Sequence, residues 1–155
     1  MSSKTFTGGD KLKARLAELS KKVNKSASVK VGFLEGSTYP DGTSTPMVAA
    51  IQEFGAPSQG IPPRPFFRNM IAKESPRWGD DLATALKAND YDSTAALNEM
   101  GELIAGQLKE SILDTNSPEL SEKTVAKKGF AKPLVDTAHM VNSVDPEKSK
   151  AWEVE

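Results

Sequence analysis

Cysteine is absent from this 155-residue chain, and histidine occurs once, as His139. Without thiols there is no disulfide framework, no cysteine zinc site and no thiol nucleophile, which suits a reducing cytoplasm. One imidazole is too few for a histidine metal cluster. No run approaches the ~18 apolar residues of a membrane span, and the polar start from Met1 to Asp10 lacks the apolar core of a signal peptide. An excess of one charge is lacking too. Twenty basic residues against twenty-one acidic ones leave −1, so no overall field draws nucleic acid or an anionic membrane. Apolar residues make up only 37%. Small domains with modest cores often complete their burial against partner subunits, because surface grows relative to volume as chains shorten.

What is present fits one domain, 1–155. Leu12, Leu16, Leu19 and Val23 share one helical face behind Asp10, a capping residue, and Lys11, Lys13, Arg15, Lys21, Lys22 and Lys25 make that segment basic. Such a face reads either as phosphate contact or as a solvated surface. Val29, Val31 and Phe33 alternate with Lys30 and Gly32, which predicts a half-buried strand. Segment 35–45 is turn-rich, and Tyr39-Pro40-Asp41-Gly42 reads as a turn at the tip of an exposed loop or projecting hairpin. Together with the N-terminus, 1–9, it is the expected mobile region. Thr45 as N-cap, Pro46 at the first helical position and Gly55 as the stop bound a short helix carrying Met47, Val48, Ile51 and Phe54.

Seven of the ten prolines fall between Pro40 and Pro76, so this third reads as a restricted connecting scaffold rather than a core layer. After Pro65, Phe66, Phe67, Met70 and Ile71 fit one helical stripe expected to stop before Pro76; Pro76 then opens another helix with Trp78, Leu82, Ala85 and Leu86 inward. The strongest helix, about 93–114, is capped by Asp92 or Ser93 and repeats Leu97, Met100, Ile104, Leu108 and Ile112. Gly101 and Gly106 inside it read either as places where another backbone packs closely or as tolerated glycines. Short helices are expected at 121–128 and 134–144, and a last strand at 151–155. The fold class is therefore α+β: a small antiparallel or mixed sheet packed on helices.

Residues for chemistry are scarce. Asp136, His139 and Ser143 could be a triad by type, but all would lie on one short helix, whereas a triad needs groups converging from separate elements. Asp80 and Asp81 suit a helix N-terminus, and neither Asp41-Gly42 nor Asp90-Tyr91-Asp92 has the ligand spacing of a calcium loop. No catalytic, cofactor or metal site is expected. Arg64, Arg68, Lys73 and Arg77 near Phe66 and Phe67 leave open a strand-binding surface, or an amphipathic helix with its bases in water.

Two blocks carry a resemblance. Ala50-Ile51-Gln52-Glu53-Phe54-Gly55 followed by Ile61-Pro62-Pro63-Arg64-Pro65-Phe66-Phe67-Arg68 resembles the motif pair of bacteriophage tail-component and virion-morphogenesis proteins, a helix ending in Glu-Phe-Gly and an Ile-Pro-x-Arg-Pro-Phe turn. The second block runs through Leu120-Ser121, Thr124, Lys127-Lys128-Gly129, Pro133-Leu134-Val135-Asp136-Thr137 and Asn142-Ser143-Val144, and is similar to their C-terminal signature, with Ala138 where they commonly have glycine. The resemblance implies a non-enzymatic, ring-forming tail-completion (tail terminator) subunit at the head–tail junction, in a homo-oligomer that is commonly hexameric. The near alternative is a head-completion or connector-adaptor protein; the distant one is a DNA-binding or nuclease protein. The implied partners are the tail tube protein, head connector or adaptor proteins, and genomic DNA passing through the lumen without specific contact. The implied location is the virion, with the host cytoplasm during assembly. The expected subunit interface is Glu53, Phe54, Gly55, Arg64, Pro65, Phe66, Phe67 and Arg68, with Arg64 able to make a bidentate pair with a carboxylate such as Glu53 of the same or the next subunit, or alternatively the motif packs the core. The expected assembly loop is Tyr39, Pro40, Asp41 and Gly42.

Overall fold

The computed structural model describes residues 8–24, 27–115 and 139–147, with isolated helical positions at 122 and 126. The chain order is α1 (Gly9–Val23), β1 (Lys30–Phe33), α2 (Thr45–Phe54), a 3₁₀ turn (Pro57–Gln59), α3 (Phe66–Ala88), α4 (Ser93–Asp114), α5 (His139–Asn142) and β2 (Val144–Glu147). β1 and β2 form an antiparallel pair, and α4 packs on both and on α3. This is the expected α+β arrangement, a small sheet against helices. The expected helix at 121–128, the expected strand at 151–155 and the first seven residues lie outside the described residues, apart from positions 122 and 126.

The core forms where α3 and α4 run together and the sheet closes over them. Phe66 and Met70 from α3, Ala105, Leu108 and Ile112 from α4, and Met140 and Val144 from the C-terminal elements make one buried cluster with Ala49. Each large side chain buried there contributes roughly 1.5–3 kcal/mol. Polar ties fix how the helices meet: the Trp78 indole N–H donates to Gln107 Oε1 at 2.9 Å, and the Ser111 hydroxyl donates to the Phe66 carbonyl at 2.7 Å. Asp92 caps α4, accepting from the Thr94 and Ala95 N–H groups. The proline-rich third is thus more than a connector, because Ala49, Phe66 and Met70 place it in the core.

Pro76 does not divide α3, contrary to expectation. The helix runs through it over 23 residues. Proline inside a helix costs about 3 kcal/mol in propensity, and the long packed contact with α4 on both sides of Pro76 offsets it. Of the stripe Phe66, Phe67, Met70 and Ile71, the last stays exposed.

The strand β2 was not expected: of the helix read from sequence at 134–144, residues 134–138 lie outside the described residues, His139–Asn142 is helical, and Val144 starts a strand. The Leu34 N–H donates to the Ser143 carbonyl, and Phe33 faces Val144, Gly32 faces Asp145 and Val31 faces Pro146. Hydrogen-bonded and non-hydrogen-bonded pairs alternate in an antiparallel ladder, so Pro146 falls where no N–H is required of it. Val144 and Pro146 turn inward while Asp145 faces solvent.

The two glycines of α4 differ. A Cβ at Gly101 would stand 2.6 Å from Val29 Cγ2 and 3.0 Å from Pro146 Cβ, so the sheet needs this glycine to approach; at Gly106 nothing lies within 4 Å. The neighbours at Gly101 are side chains rather than the backbone expected.

Candidate functional site

The motif residues meet at the corner between α2 and α3, and the corner is built around one carboxylate. The cap of α2 is Ser44, not Thr45: its side chain accepts from the Met47 N–H, and Thr45 is the buried first helical residue. At the other end Gly55 turns the chain with φ +77°, where a Cβ would lie 2.8 Å from Pro63 N and 2.9 Å from the Ile61 carbonyl oxygen. Reciprocal hydrogen bonds between Ala56 and Ile61, 2.9 and 3.1 Å, close the turn and bring the Pro62-Pro63 segment back beside α2. The Arg64 N–H then donates to the Gln52 carbonyl at 2.7 Å, fixing the start of α3 against the end of α2.

Pro65, the N-cap of α3, has no side chain that can cap. Glu53 does this from α2. It is only 4% exposed, and its Oε2 accepts from the Phe67 N–H at 2.9 Å while Oε1 accepts from the Arg68 N–H at 3.3 Å. A carboxylate there satisfies donors that the first helical turn leaves open and sits at the positive end of the helix dipole. The guanidinium of Arg68 completes the arrangement, with Nε 2.7 Å from Glu53 Oε1 and Nη2 donating to the Glu53 carbonyl at 3.1 Å.

Within one chain the carboxylate of Glu53 therefore meets Arg68 rather than Arg64. Arg64 precedes the helix and is buried, donating from Nη1 to Gln52 Oε1 at 3.2 Å, and burial lowers its pKa. Arg68, one turn into α3, has the position from which both ends of Glu53 can be reached.

The corner has an inner and an outer half. Glu53, Arg64 and Phe66 are buried, and Pro65 and Phe67 are half-buried. Phe54 is 66% exposed, with the Arg68 guanidinium 5.3 Å from its ring centroid, a cation–π contact. Beside them an apolar groove of about 240 Å³ is lined by Phe33, Pro46, Ala49, Ala50 and Phe67 as well as Phe54. Met47, one face-repeat back along α2, is also exposed. α2 is therefore apolar on two sides. The sequence signal for the groove was present in the spacing of Met47, Ala50 and Phe54, while the role of Gln52 had no signal.

The turn expected as an assembly loop takes the hairpin form. Gly42, at φ +85°, donates to the Tyr39 carbonyl at 2.9 Å, Tyr39 donates to the Thr43 carbonyl at 2.8 Å, and Thr38 and Ser44 form a bridge. The Asp41 carboxylate accepts from the Thr43 N–H, which holds its pKa below the usual range. Pro40, Asp41 and Gly42 are exposed at the tip. The Tyr39 ring packs 4.7 Å from that of His139. The turn and the corner occupy opposite ends of α2, about 15 Å apart along its axis.

Of the triad-type residues, Asp136 lies outside the described residues, and the Ser143 hydroxyl donates to the His139 carbonyl rather than to its ring. Among the described residues no three His, Asp or Glu side chains converge as metal ligands, and no helix is long and apolar enough to cross a membrane. Comparison with protein-family models, with curated proteins and with solved structures gave no match.

Proposed function

We propose that this chain is a structural subunit of a tailed-phage virion, a tail-completion protein that assembles as a ring at the head–tail junction and lets the genome pass through its lumen. The observation that carries this reading is the corner at the motif that resembles that of tail-component proteins. Buried polar bonds from Glu53, Gln52 and Arg64 hold it rigid, while Phe54 is left in water beneath Arg68. A backbone corner fixed by hydrogen bonds leaves little chain entropy to lose when a partner covers the aromatic it displays. Aromatic and arginine side chains are also the types that dominate interface energetics. Of the expected interface residues, Phe54, Phe67 and Arg68 supply the contact, and Glu53, Gly55, Arg64, Pro65 and Phe66 supply the frame.

A hairpin tip such as Tyr39-Pro40-Asp41-Gly42, displayed at the far end of the same helix, serves in this reading as a second contact with a neighbouring ring. Particles lacking the protein should accumulate as separate DNA-filled heads and tails under the electron microscope. Normal joined particles would sink the proposal.

A further inference from the structure

Helix α1 is held to the rest of the chain at its C-terminal end. Arg15 and Lys22 reach Asp90 in the α3–α4 turn at 3.2 and 2.5 Å, and the Ser93 hydroxyl donates to the Lys22 carbonyl. No residue of α1 is fully buried, and most of its apolar stripe faces water: Leu12 is 55% exposed and Leu16 56%, Val23 is also exposed, and Leu19 is half-buried. An amphipathic helix whose apolar face is uncovered lacks the burial that normally stabilises such helices.

The charge balance says what covers it. α1 carries five basic and two acidic residues, +3, in a chain whose total is −1. The rest of the chain is therefore at −4, and α4, with four acidic residues and one basic, accounts for −3. The acids of α4 are not scattered. Glu99, Glu102, Leu103, Gly106, Glu110 and Leu113 recur along its exposed side, with Glu110 at the edge where it also meets Lys73 of α3. Gly106 lies mid-stripe with open space where a Cβ would be, a shallow socket for a side chain from another helix. The chain has another exposed apolar surface, the groove beside Phe54, but Arg68 at its rim is basic like α1. Charge therefore selects α4.

We infer that α1 of one copy docks on the outer stripe of α4 of the next, with Leu12 and Leu16 against Leu103, Gly106 and Leu113, and with Lys11 and Lys13 facing Glu102 and Glu110. The two surfaces are different patches of one chain, so the contact is heterologous and propagates into a closed ring or a filament. This rests on the self-association in the proposed reading, and on nothing viral.

The test is sedimentation of the full chain and of two charge-reversed variants at equal micromolar concentration. K11E/K13E makes α1 acidic; E102K/E110K makes α4 basic. The wild type should sediment as an oligomer that loosens as salt is raised, and each variant alone should be monomeric, with association weakened at least about tenfold by like charges facing each other. An equal mixture should associate again, because each variant's α1 then meets an α4 of opposite charge. All four positions are exposed, so circular dichroism melts should match the wild type; Leu16→Ser, which alters no charge, should also weaken association. A monomeric wild type, variants that still associate normally, or a mixture that stays monomeric would overturn the contact. A monomeric wild type would leave the particle phenotype to decide the viral reading separately.

Discussion

Glu53 does from the preceding helix what a capping side chain normally does from the adjacent residue, because Pro65 brings no side-chain acceptor to the start of α3. Glu53→Gln keeps one acceptor oxygen but removes the charge from both the helix terminus and Arg68, and should cost about 1–2 kcal/mol in urea unfolding. Gly55→Ala should cost more, at least about 2 kcal/mol, since it adds a left-handed backbone penalty to a clash with Pro63 and Ile61. A variant as stable as wild type would mean that the corner is held in some other way. The motif was legible in the sequence: its prolines, Gly55 and aromatics mark a turn between two helices. Which arginine pairs with Glu53 was not, because Arg64 and Arg68 are both within reach by spacing and only the start of α3 at Phe66 separates them. Nor could spacing show that Phe66 is buried while Phe54 is exposed.

At the scale of elements, packing decided what local pattern left open. Both glycines of α4 look alike in sequence, yet Gly101→Ala should destabilise by about 1–3 kcal/mol through overpacking against Val29 and Pro146, whereas Gly106→Ala should stabilise the monomer by up to about 1 kcal/mol. Thermal melts of the two variants moving the same way would contradict the packing. β2 was illegible because Val144-Asp145-Pro146-Glu147 has a proline and two acids, and its strand character comes from β1 and from the core under Val144. The stop expected before Pro76 failed for the same reason, α4 supplying what local propensity lacks. α1 is anchored electrostatically, and its response to pH follows. Lys22 and Arg15 hold the Asp90 pKa below the ordinary carboxylate range, so this contribution is complete above the unfolded Asp value and is lost as pH falls through the depressed one. The Lys22 pKa is raised, chiefly by Asp90, so its share is lost only when pH rises above the ordinary lysine range. Amide exchange in α1, corrected for intrinsic rates, should accelerate in acid and in Asp90→Asn at neutral pH, while exchange in α4 stays slow. Unchanged α1 exchange in Asp90→Asn would exclude the anchor.

For the whole molecule, the exposed apolar surfaces have different jobs in the proposed reading. The basic face of α1 and the acidic face of α4 would join copies of the chain, and the corner at Phe54 would meet what lies above or below a ring. The near-zero net charge noted at the outset conceals this separation, since +3 on α1 and −3 on α4 cancel in composition. Spacing places Leu12, Leu16, Leu19 and Val23 on one helical face but does not say what covers it, so the exposure of Leu12, Leu16 and Val23 became visible only in three dimensions. The central claim is that the corner presents Phe54 for assembly rather than for folding. It is tested most directly by Phe54→Ser in an otherwise intact virus, with the yield of joined particles counted by electron microscopy beside the melting temperature of the purified chain. The melting temperature should stay close to wild type while heads and tails remain unjoined; joined particles at wild-type yield would contradict a role for Phe54 in assembly.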